Sequence, residues 1–182
     1  MRQILSKCNF LQLRRRFVRD AKGSVAVEFA LTAIPFFTLL FAIMEAGIIF
    51  FATSTLDQSV NDTGRLIRTG QAQTASTTKE QMIQKICDNV VLLSSCTTKL
   101  KIDVRVFTNF SSVSFASVMD SSGAVKDTSL IFNMGAAGDI ILVRAFYVWS
   151  IMSPFSTGLD NNTSGTRLIQ SSVAFRNEPY TS

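Results

Sequence analysis

The sequence predicts an α+β fold. A single N-terminal transmembrane helix extends into an amphipathic arm, and a small exported domain follows with one further helix and a three- to four-stranded antiparallel sheet. Three observations predict it. Residues 29–52 are an apolar run in which Glu45 is the only charge. Leu56, Val60, Thr63 and Ile67 then recur at helical spacing. Three later segments have the length and alternation of strands and are bounded by residues that favour turns.

The N-terminal segment is a basic leader. The chain has 18 basic and 13 acidic residues, but residues 1–23 hold Arg2, Lys7, Arg14, Arg15, Arg16, Arg19 and Lys22 against Asp20 alone. Residues 24–182 therefore carry 11 basic and 12 acidic side chains and are close to neutral. The pI of 9.4 thus belongs to the leader, and without a basic stripe interleaved with aromatics no nucleic-acid partner is expected.

As a helix, residues 29–52 reach about 36 Å, enough to cross a hydrocarbon core of about 30 Å with some tilt. Pro35 falls near the start, where it kinks a helix without preventing insertion. No Lys or Arg lies between Lys22 and Arg65, so the positive-inside rule keeps the N-terminus in the cytoplasm and exports everything after Ala52. Glu45 costs on the order of 3 kcal/mol at mid-span, which the apolar residues outweigh. An ionisable residue inside a span points to a helix partner; a protonated or snorkelling side chain near the headgroups is the alternative.

Glu28 follows five residues after Gly23, at the cytoplasmic boundary. Cleavage after Gly23 would give Ser24 a free ammonium at a helix N-terminus, where the dipole disfavours positive charge. Glu28 lies four residues on, on the same face and about 6 Å along the axis. It can neutralise that amine or the amine of a neighbouring, slightly staggered helix.

A basic leader, Gly23 at the cut, Ser24, Glu28 at the fifth mature position and Phe29 at the sixth, followed by an apolar helix, resemble a type IV prepilin processing site. The "EF" pair resembles the prepilins of tight-adherence (Tad) pili, and Pro35 sits where such helices often carry a proline. "GRLIRTGQAQ" at 64–73, "GDIILVRAFYVW" at 138–149 and "FRNEPY" at 175–180 resemble TadE-like pseudopilins, with TadE and its sister TadF not distinguished. The chain is longer than a short fibre-forming Flp pilin. The resemblance implies a pilin-like fold and an inner-membrane protein with its C-terminal domain in the periplasm. It also implies cleavage by a prepilin peptidase, and partners among other Tad pilins, pseudopilins and the pilus assembly platform.

The expected organisation is a leader at 1–23, a helix at 24–70 with its membrane core at 29–52, and an exported domain at 71–182. Arg65 and Arg68 suit the C-terminal dipole of the arm, and Gly70 is its stop. After the polar linker "QAQTASTTK", Thr77 and Glu80 fit a capping box, and Met82, Ile83, Ile86, Val90 and Leu93 mark the buried face of a second helix. Strands are expected at 101–108, 139–149 and 166–176, with a weaker fourth at 112–118. In the first, Ile102, Val104 and Val106 alternate with Lys101, Asp103 and Arg105, which predicts one buried face. The second is apolar on nearly both faces and suits a central strand.

Loss of the leader removes Cys8 and leaves Cys87 and Cys96 as an even pair. A bridge between them would stabilise the domain by about 2–3 kcal/mol in the chain-entropy model and needs an oxidising compartment; two separate thiols are the alternative. The chain has no histidine, the commonest general base and a frequent metal ligand. No serine motif points to a nucleophile, and Asp120, Asp127, Asp139 and Asp160 lack calcium-loop spacing. The sequence therefore predicts no enzyme, cofactor, metal site or small-molecule substrate. Two other classes fit parts of the sequence. One is an uncleaved single-pass adaptor. The other is an exported domain released by ordinary signal peptidase at "FATS" (51–54), although the apolar run is longer than a signal h-region and contains Glu45.

Overall fold

A computed structural model describes residues 21–115, 118–120, 125–152, 158–162 and 165–180. The basic residues of the expected leader up to Arg19, and Cys8, lie outside the described residues. The chain divides into two compact units, Met1–Ile43 and Met44–Ser182. One helix, α1 (Ala21–Arg68), contributes to both and continues through Pro35.

In the first unit, the described residues are helical and expose large apolar side chains all round, among them Val25, Phe29, Leu31, Ile34, Phe36 and Leu39. In the second unit the same helix is amphipathic. Ile49, Ala52, Leu56, Val60 and Ile67 are buried, at spacings that keep them on one face. Thr63 is buried with them and satisfies its hydroxyl on the Ser59 carbonyl at 2.8 Å. The helix ends as the sequence predicts, with Arg65 and Arg68 in its last turn. Gly70 follows at φ +78°, and a Cβ there would collide with the Tyr180 ring. Both the backbone and the close approach require glycine.

The expected linker contains a short helix, α2 (Gln71–Thr74), whose Ala72 is buried. Next comes α3 (Lys79–Asp88), and its capping box is Thr78 with Gln81 rather than Thr77 with Glu80. Thr77 is unavailable because its N–H already donates to the Ala72 carbonyl. Met82 and Ile86 are buried on α3. Val90 and Leu93 are also buried, but they follow the end of the helix. Cys87 on α3 is bridged to Cys96, the first residue of α4 (Cys96–Lys99). Thiol labelling of the purified protein without reductant should modify neither Cys87 nor Cys96, and both after reduction. Labelling of either before reduction would contradict the bridge.

Three antiparallel strands form the sheet in the order β1 (Leu100–Phe107), β2 (Ile140–Ser150), β3 (Thr166–Arg176). The apolar segment is the central strand, as expected. Ile102 and Val104 of β1, the alternate residues Ile141 to Trp149 of β2, and Ile169 of β3 pack with α1 and α3 in the main core. On the opposite face Phe146 and Leu168 form a smaller cluster with Val118.

Two expectations about β1 need correction. No strand forms at the described residues of 112–118; Phe110–Ser112 is a 3₁₀ turn, which Asn109 caps by accepting the Ser112 N–H at 2.8 Å. Residues 116–117 lie outside the described residues. The extra pairing on the free edge of β1 comes instead from 131–133. Val104 N–H donates to the Ile131 carbonyl and Asn133 N–H to the Val104 carbonyl. The second correction concerns Asp103. Alternation placed it on a solvated face, yet it is fully buried.

Candidate functional site

The expected processing residues lie in the first unit. An added Cβ at Gly23 would meet nothing within 4 Å, so no packing in the described fold demands glycine there. Ser24 and Glu28 are exposed, and the Ser24 hydroxyl donates to Glu28 Oε1 at 3.2 Å. The Glu28 carboxylate therefore reaches back one turn to residue 24, the position of the expected amine. Phe29 is exposed beside them, and Thr32 satisfies its hydroxyl on the Glu28 carbonyl. Helical backbone leaves no polar group for lipid to solvate, so this apolar cylinder is long and greasy enough to cross a membrane.

Glu45 belongs to the second unit and is only 4% exposed. Its Oε1 accepts the Met152 backbone N–H at 2.6 Å, just beyond the end of β2. Nothing in the sequence pointed to this partner, which lies 107 residues away and offers only a main-chain donor.

Sequence reasoning also missed the charge cluster on the second face of the sheet. Asp103 lies opposite Arg144 in the β1–β2 register. Its Oδ2 accepts from Arg144 Nη2 at 2.6 Å and from Arg105 Nε at 2.8 Å, while its Oδ1 accepts the Ile131 N–H at 2.8 Å. Burial alone would raise the Asp103 carboxyl. The Ile131 N–H and the two guanidinium groups outweigh it and hold the group below its ordinary 3.8. Arg105 also donates to the Ser129 carbonyl at 2.6 Å, and Arg144 stacks over Phe146 at 5.4 Å. The cluster ties the segment around 129–131 to the sheet. The signal available in the sequence was Arg144 itself, a lone cation in an apolar strand that needs a buried anion.

The three segments quoted for the family resemblance converge in space. A Cβ on Gly64 would come within 3.1 Å of both Val173 and Phe175. Glu178 N–H donates to the Arg68 carbonyl at 2.8 Å, and the two side chains pair at 3.1 Å. Asn177 donates to the Met134 and Ala136 carbonyls, Gln73 also donates to Met134, and Arg176 donates to the Gly138 carbonyl. The C-terminal residues thus strap the end of α1 to the turn before β2. These are positioning contacts. Among the described residues no cluster of three or more His, Cys, Asp or Glu side chains is placed to hold a metal.

Neither the curated proteins nor the solved structures yielded a match to the chain. A protein family did match, described as TadE-like protein, over residues 23–65. The match takes in Gly23, Ser24, Glu28, Phe29 and Glu45 and most of α1. Residues 23–65 are thus similar to the TadE-like protein family.

Proposed function

We propose that the protein is a Tad pilus-associated minor pilin or pseudopilin, cleaved after Gly23 by a prepilin peptidase and needed for pilus assembly or adhesion. The observation that carries this reading is where the family match begins: at Gly23, the residue at which the leader would be cut. In this reading α1 anchors the chain in the inner membrane with the leader in the cytoplasm and the second unit in the periplasm. Its partners are other Tad pilins and pseudopilins and the assembly platform. The role is structural rather than catalytic.

Glu28 has a defined task in the processed protein. A carboxylate that reaches residue 24 of its own helix can also meet the terminal amine of a neighbour packed with a small stagger. Such a pair need not add stability, but it penalises wrong registers. Glu28→Ala should leave the protein inserted and processed while pili per cell fall to a small fraction. Normal piliation in that variant, by electron microscopy and sheared-pilin blots, would contradict the registry role.

A further inference from the structure

The bond between Glu45 and Met152 fixes the loop after β2 at a definite level along α1, and that level has a consequence for the membrane. Exposed apolar side chains continue along α1 through Met44, Phe50 and Phe51. Ser54 and Asn61, both exposed, and Asp57 then open a polar surface. No charged side chain occurs from 46 to 56. Residues 24–51 at 1.5 Å per residue cover about 42 Å, which matches a bilayer of about 40–45 Å including both headgroup layers. The water boundary thus falls between Phe51 and Ser54. Glu45 precedes Phe51 by six residues, so its level is about 9 Å deeper along the axis.

Met152 is held at that deeper level by its backbone N–H, and its side chain is 65% exposed. The Glu45 carboxylate is itself buried and accepts the loop's N–H. An exposed Met152 bonded through its backbone to the residue that follows exposed Met44 on α1 suits the boundary between headgroups and acyl chains. Amphipathic surface elements bury their apolar faces to about 5–10 Å there.

We propose that the start of the β2–β3 connection, at Met152, inserts into the periplasmic leaflet of the inner membrane, with Glu45 as the positioning residue that holds it there. The partner is phospholipid at glycerol and upper acyl depth. The exported unit is then seated in the membrane surface rather than tethered above it. This rests on the membrane-anchored reading of α1.

The test uses the full chain carrying Cys8→Ser, with the Cys87–Cys96 bridge intact, reconstituted into phosphatidylethanolamine–phosphatidylglycerol vesicles. A fluorophore is placed in turn at Met152→Cys, at Leu40→Cys in the span, and at Ala137→Cys. Ala137 precedes the other end of β2, about 30 Å away at 3.3 Å per residue. Lipids spin-labelled near the glycerol should quench the Met152 label at least roughly two-fold more than the Ala137 label. Adding Glu45→Gln, which keeps an acceptor oxygen, should preserve that quenching, whereas Glu45→Leu should lose it. Quenching at Leu40 with none at Met152 would overturn the proposal and leave the span intact. Quenching at neither would overturn both. A Met152 label shielded only as protein density rises would show that a second copy covers the loop, which also overturns the proposal.

Discussion

Arg144→Leu is expected to lower the unfolding free energy of the protein by about 2–3 kcal/mol, the upper range for a hydrogen bond to a charged group. Asp103 is fully buried and Arg144 nearly so, so removing the guanidinium takes one of two cations from a carboxylate that water cannot reach and leaves it to Arg105 and the Ile131 N–H. Denaturant titration of the detergent-solubilised full chain, followed by Trp149 fluorescence, reads the loss. The double variant Asp103→Leu/Arg144→Leu should recover part of it, because the apolar pair avoids both desolvation penalties but leaves Arg105 and the Ile131 N–H without the acceptor they share. If the single variant loses less than about 1 kcal/mol, which is surface-pair behaviour, the cluster does not hold the sheet face as described.

The same cluster sets the acid limb of stability. The Asp103 carboxyl lies below its ordinary 3.8 in the folded chain, so the unfolded chain binds the proton more readily. Its contribution is complete above the ordinary carboxylate value and is lost as pH falls through the lower folded value. In Arg144→Leu the Ile131 N–H and Arg105 still stabilise the carboxylate, so the depression of its pKa should shrink, and the acid-dependent part of the stability should shrink with it.

Gly23→Leu should leave the leader attached, so that the protein accumulates in membranes at full length and pili are lost. Folding offers no other explanation for such a result. A Cβ at residue 23 meets nothing within 4 Å and the backbone there is not left-handed, so the substitution should leave stability within about 0.5 kcal/mol. Normal trimming of Gly23→Leu would show that the peptidase, if one acts, does not read this glycine.

The elements that the sequence made legible are those governed by periodicity. The apolar run, the helical stripe from Leu56 to Ile67 and the three strands each follow from spacing alone. What spacing could not reveal was how one element covers another. Asp103 looked solvated because alternation counts faces and not layers, and the segment at 129–131 covers the face it occupies. The fourth strand failed because the Asn109 cap turns the chain at Phe110–Ser112, and the pairing that β1 needs is supplied by 131–133. Thr77 and Thr78 both head a plausible box, and only the Ala72 carbonyl decides between them. Glu45 was visible as an anomaly, but its acceptor role depends on a backbone N–H that carries no sequence signature.

Cleavage after Gly23 is the claim on which the proposed function turns. The intact mass and N-terminal sequence of the protein purified from membranes, with and without the host's prepilin peptidase, test it most directly. A chain beginning at Ser24 only when the peptidase is present is the expected result. A chain that still begins at Met1 would make the protein an uncleaved adaptor, one beginning at Thr55 would make it a released domain, and either would contradict the account.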